Sequence, residues 1–137
     1  MKTRGFIMIV FALALALSAQ FVNTSKADGY SARLISPTAG QVVHPGQVVK
    51  VQWRSVLPVT SESCEAEVWL SLDGGRTFQT WISPWIDPKA QYFYWTVPNL
   101  PTNAAVLDIR FGCDPLYPES YAPQPESTFV IAKPADW

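Results

Sequence analysis

The chain has 137 residues, enough for one domain and hardly for two. Hydrophobic residues make up 48% and charged residues 15%, with six Trp, five Tyr and seven Phe, which excludes a disordered polar chain. The net charge of −1 argues against a nucleic-acid binder, and two cysteines exclude a structural zinc site built from three or four.

The first element in chain order is a targeting signal. Lys2 and Arg4 form a positive start, and Phe6–Ala19 is an apolar run of 14 residues. A spanning helix needs roughly 20. Ser25-Lys26-Ala27 fits the small-x-small cleavage rule, so residues 1–27 are read as a signal peptide, with cleavage near Ala27. Cleavage after Ala19 and an uncleaved anchor are the alternatives. The expected mature chain, 28–137, carries seven basic and eleven acidic residues, a net −4. A secreted or periplasmic protein with no further membrane span is expected, since one export signal serves both destinations.

Seven strand-like segments follow, separated by turn signals. They are Ser31–Ile35, Gln47–Arg54, Cys64–Leu72, Thr77–Ile82, Tyr92–Val97, Ala105–Cys113 and Ser127–Ala132, with Val42-Val43 as a short edge piece. Val49, Val51 and Trp53 alternate with Lys50, Gln52 and Arg54, the period of a sheet with one apolar face. Pro45-Gly46 marks a type II turn and Asp73-Gly74-Gly75-Arg76 a hairpin, because each needs a residue tolerant of positive φ. Twelve Pro and seven Gly break up any long helix after about residue 36. The expected class is all-β, a seven-stranded sandwich of the immunoglobulin or fibronectin type III kind.

Specific residues carry a resemblance to such modules. Ile35-Ser36-Pro37 with Gly40, Pro45-Gly46-Gln47 and Val51-Gln52-Trp53 resemble the opening of bacterial secreted Ig/fibronectin-like modules. Trp95-Thr96-Val97-Pro98 and Ser127–Ile131 resemble their second half, and a more distant likeness is to the N-terminal domain of yeast cell-wall-synthesis proteins. The resemblance spans nearly all of 32–132 and implies a fold rather than an activity. Ser71-x-Asp73-x-Gly75-x-Thr77-Phe78 is similar to the Asp-box of sialidases and other secreted carbohydrate-active proteins. In those proteins the box is a structural hairpin away from the active site.

A fibronectin-like order makes 64–72 and 105–113 antiparallel neighbours. Cys64 opens one and Cys113 closes the other, both at inward parity, so a Cys64–Cys113 disulfide is expected in an oxidising compartment. Free buried thiols are the alternative; a redox role has no C-x-x-C to support it.

Catalytic signals are thin. His44 is the one histidine and precedes a turn, where no buried carboxylate could orient it. Glu65 and Glu67 share a strand face about 7 Å apart, a spacing compatible with an inverting glycosidase pair. Two solvated carboxylates opposite Arg110 are the plainer reading. No nucleophile elbow, phosphate loop or zinc-protease motif is present, and no metal or cofactor is expected. The chain is read as non-enzymatic.

Two surfaces are candidates for binding. Trp69 and Trp81 are at outward parity on neighbouring strands, and Trp85 follows in the loop Ser83–Pro88, together a platform for sugar rings or a partner protein. Cross-strand packing of Trp69 on Trp81 is the alternative. The loop Asp114–Pro125 holds Tyr117, Tyr121 and four prolines, which stiffen it. The expected function is an exported, non-catalytic Ig-like module that recognises cell-wall or extracellular polysaccharide. The alternative is a structural or accessory subunit docking on a larger envelope or secreted protein assembly.

Overall fold

A computed structural model describes residues 29–58, 64–113 and 117–135. The expected signal segment and parts of the loops 55–63 and 114–126 lie outside the described residues. Among the described residues nine strands form: β1 (Ser31–Ser36), β2 (Val42–Val43), β3 (Val48–Val56), β4 (Cys64–Ser71), β5 (Thr80–Trp81), β6 (Tyr92–Thr96), β7 (Thr102–Cys113), β8 (Tyr117–Ser120) and β9 (Phe129–Ile131). One sheet has the order β1-β3-β6, and the other β2-β9-β7-β4-β5 with β8 also on β7. The chain is thus nearly all-β with two sheets, an arrangement compatible with a sandwich. No described helix is long and apolar enough to cross a membrane.

Period-two alternation aims one face of each sheet at a shared core. Val49, Val51 and Trp53 of β3 and Phe93 and Trp95 of β6 are buried together with Val68 and Leu70 of β4, Leu107 and Ile109 of β7, and Phe129 and Ile131 of β9. Trp95 meets Phe129 edge-on at 6.2 Å between ring centroids, which couples the two sheets. A smaller cluster of Tyr30, Phe111, Cys113 and Ala122 closes one end. There Tyr30 stacks on Phe111 at 5.2 Å, and its hydroxyl donates to the Ile109 carbonyl at 2.8 Å. The Cys64–Cys113 disulfide joins β4 to β7 at this end, where the two residues are register partners.

Three departures from the expected strands have local causes. The strand expected at Thr77–Ile82 is only Thr80–Trp81. Thr77 is held back in the preceding turn, where its N–H and hydroxyl donate to the two Asp73 carboxylate oxygens at 2.9 and 2.7 Å. β7 begins at Thr102, earlier than expected, because its first residues pair with β9. β8 falls within the segment 114–125 that the sequence predicts as loop. It is an edge strand, a position where Pro118 removes no needed ladder bond.

The hairpin between β4 and β5 is shaped by its own residues and tied to β7, where the Gly74 N–H donates to the Ala104 carbonyl at 2.9 Å. Ser71 Oγ donates to Asp73 Oδ1 at 2.7 Å and accepts from the Gly75 N–H at 2.9 Å. These bonds to the charged form hold the Asp73 carboxyl down at about 2, with Ser71 the largest cause and Thr77 next. Gly75 has φ of 90° and lies over Val106, where an added Cβ would meet Val106 Cγ1 at 3.6 Å. The turn thereby covers the outer side of β7, which is why Val106 is buried although it points away from the core. Gly46, with φ of 83°, provides the positive φ of the Pro45-Gly46 turn, closed by the Gln47 N–H to the His44 carbonyl at 3.0 Å.

Candidate functional site

The outer face of the larger sheet gathers most of the aromatic candidates. Trp69 of β4 is the register partner of Trp81 of β5. Past Trp81 the chain stays beside β4 but not as a regular strand. The Ile82 N–H donates to the Val68 carbonyl at 3.0 Å, and Ala66 and Ile86 exchange two backbone bonds at 2.8 and 2.9 Å. Between these points the Ser83 hydroxyl replaces a backbone acceptor, taking the Val68 N–H at 2.8 Å. Ser83 and Ile86 are buried, and the two residues between them are pushed outward. Trp85 therefore stands in solvent at 72% exposure, with its ring centroid 6.4 Å from that of Trp81, itself 47% exposed.

On the other side of Trp69 lies Arg110 of β7. Its guanidinium carbon is 4.5 Å from the Trp69 ring centroid and 4.6 Å from that of Tyr121, so the cation is layered between two aromatic faces. Asp108 holds it from below, with Arg110 Nε 2.9 Å from Asp108 Oδ2. The other carboxylate oxygen of Asp108 accepts the Ala122 N–H at 2.9 Å, which fixes the segment carrying Tyr121. The result is a row across the sheet: Trp85, Trp81, Trp69, Arg110, Tyr121. With strands about 4.8 Å apart it spans about 14 Å from β5 to the segment beyond β7.

Carboxylates flank the row. Trp69 Nε1 donates to Glu67 Oε2 at 3.3 Å, and the Tyr121 hydroxyl donates to Glu119 Oε2 at 3.2 Å. Glu65, Glu67 and Glu119 line a recess of about 250 Å³ together with Gly112 and Tyr117. Partial burial pushes the Glu67 carboxyl up, and the nearby Glu119 and Glu65 carboxylates add to it, while the Trp69 hydrogen bond opposes. Burial likewise raises Asp108, against the pull of Arg110.

The five aromatic candidates thus separate. Trp69, Trp81, Trp85 and Tyr121 share the row. Tyr117 does not: its ring packs on Phe111 at 5.6 Å, beside the disulfide, and it borders the recess. Trp69–Trp81 packing and a platform do not exclude each other: the pair is in register and Trp81 still presents its ring to solvent. The central place of Arg110 in the row is not legible in the sequence, where the outward parity it shares with Asp108 is the available signal. His44 lies on an exposed turn. Among the described residues no group of three or more His, Cys, Asp or Glu side chains is placed to hold a metal ion.

Comparison with known proteins adds nothing to this geometry: no protein-family model matches the chain, and no curated protein matches it. The row and its flanking carboxylates stand on their own chemistry. The exposed rings of Trp81 and Trp85 offer apolar faces, and carboxylates beside the row accept hydrogen bonds from hydroxyls.

Proposed function

We propose that this protein is an exported, non-catalytic module of the immunoglobulin/fibronectin type III kind that binds extracellular or cell-wall polysaccharide. The observation that carries the reading is the exposed pair Trp85 and Trp81, continued across the sheet by the half-buried Trp69 and Tyr121 that enclose Arg110. Pyranose rings present apolar faces that stack on such side chains and hydroxyl edges that bond to carboxylates. The row lies on a rigid sheet, so little side-chain freedom is lost on binding. An oxidising destination suits the Cys64–Cys113 disulfide. In this reading the bonded turn from Ser71 to Phe78 is an Asp-box used as a structural hairpin.

The test is a titration of the purified protein with a panel of neutral cell-wall and capsular polysaccharides, followed by tryptophan fluorescence. A saturable shift is expected with at least one polymer, and it should vanish when Trp81 and Trp85 are both changed to Ala. A flat response to the whole panel, or a shift that survives the double change, refutes the reading. One observation favours docking on a larger protein assembly instead. β1 and β6 are both outer strands of the three-stranded sheet, each with one edge unpaired by another described strand. That reading predicts co-purification with a neighbour, insensitive to added sugars.

A further inference from the structure

The three-stranded sheet carries three cations on its outer face that no described acidic side chain neutralises. Register sets Arg33 of β1 directly opposite Arg54 of β3. Lys50 lies on the same face of β3, opposite Tyr94 of β6. All three are exposed, and among the described residues none takes part in an ion pair; the ion pairs found there are those of Arg110. Like charges directly opposed across strands are destabilising. Nothing in the packing requires the pair.

Other features converge on the same place. A recess of about 430 Å³ is lined by Ser31, Arg33, Arg54, Ser55, Val56 and Gln91. Gln91 holds a left-handed backbone, φ 57°, which is costly for a residue with a side chain. It is kept there by its carbonyl accepting the Trp53 N–H at 3.0 Å and its Oε1 accepting the Ser55 N–H at 3.2 Å. Along the same face Tyr92 and Tyr94 are 44% and 65% exposed, their ring centroids 6.0 Å apart, with Lys50 Nζ 4.9 Å from the Tyr92 ring centroid.

We propose that this face is a second binding site, on the opposite side of the molecule from the tryptophan row, and that it takes an acidic polysaccharide of the polyuronate class. A carboxylate bridging Arg33 and Arg54 relieves their repulsion and meets the planar fork that guanidinium groups offer. A neighbouring sugar ring lies on Tyr94, the more exposed of the two edge-on tyrosines, and Lys50, seated over the Tyr92 ring, meets a further carboxylate. The two faces then differ in charge. Glu65, Glu67 and Glu119 beside the tryptophan row repel a polyuronate, whereas the arginine face attracts it.

The test uses the purified protein and polygalacturonate, with neutral pullulan as control, by titration calorimetry at low and physiological salt. Saturable, salt-sensitive binding to polygalacturonate but not to pullulan is expected. Changing Arg33 and Arg54 together to Gln should weaken it about tenfold, the loss of two exposed charge contacts. Tyr94→Ala should weaken it about fivefold. Arg76→Gln, on the distant hairpin, should leave it unchanged, and so should the Trp81→Ala, Trp85→Ala double variant, so this site and the tryptophan row can fail separately. The proposal is overturned by no binding at low salt, by equal affinity for pullulan, by full binding in the Arg33, Arg54 double variant, or by loss in the tryptophan variant. It is also overturned if sedimentation shows self-association that the arginine variants abolish while polygalacturonate does not bind. That outcome would assign the face to the acidic face of a second copy.

Discussion

Arg110 is the hub of the tryptophan row, and its replacement by Met tests the account most severely. The change keeps an unbranched stem and removes the guanidinium. Asp108, 3% exposed at its side chain, then has only the Ala122 N–H to meet its charge. Breaking a buried ion pair from one side costs about 3–5 kcal/mol. Asp108 can limit the cost by taking up a proton. Starting from the ordinary value of 3.8, neutralising it near pH 7 costs at most about 4 kcal/mol at 1.36 kcal/mol per pH unit. Near pH 5 the same ceiling is about 1.6 kcal/mol. Loss of the cation over Trp69 and Tyr121 adds about 1 kcal/mol that does not depend on pH, part of it regained by sulfur–ring contact. An acid whose folded pKa lies above its unfolded value binds more protons when folded, so stability falls as pH rises between the two values. Burial already acts in this direction on Asp108, and Arg110 opposes it. Removing Arg110 therefore widens the window, and the variant loses ground to the native protein as pH rises from about 4 to 7. Urea unfolding followed by tryptophan fluorescence across that range measures it. The expected destabilisation is about 4 kcal/mol near pH 7, shrinking to about 2 near pH 5. A loss under about 1 kcal/mol near pH 7, or one equal at both pH values, refutes the reasoning.

Two further predictions concern the frame that holds the site. The Cys64–Cys113 bond spans a separation of 49 residues, so changing both to Ala should cost about 4 kcal/mol on the chain-entropy model, read as a lower urea midpoint; an unchanged midpoint contradicts this. Gln124 is 2% exposed, accepts the Leu34 N–H at 2.8 Å and donates to the Ala32 and Ala122 carbonyls, each at 2.8 Å. Gln124→Leu fills the volume but leaves the buried Leu34 N–H without its acceptor and takes one donor each from the Ala32 and Ala122 carbonyls, of which Ala122 keeps the Ile109 N–H at 3.2 Å, a loss of about 2 kcal/mol, with faster amide exchange at Leu34 than at Val68; equal protection of the two amides would argue against it.

What the sequence determined by itself was local or periodic. Alternation along 47–54, 64–72 and 105–113 identified three core strands, and the same parity put Trp69 and Trp81 on an outer face, because side-chain direction in a strand has period two. The Pro45-Gly46 turn and the Asp73 hairpin were legible because the bonds that close them run between residues at most four apart, although Gly46 and Gly74 also donate to the distant Val97 and Ala104 carbonyls. Tertiary structure decided whatever depends on register between distant segments. It shortened β5, made a strand of Tyr117–Ser120 on the edge of β7, and pushed Trp85 out beside Trp81 by substituting Ser83 for a backbone acceptor. It also layered Arg110 between rings from two separate segments, buried Gln124 against β1, and set Arg33 opposite Arg54. A pattern of period two states which way a side chain points. It carries no information about which residue, 20 or 90 positions away, will be opposite, since a pairing shift of two residues keeps every face unchanged.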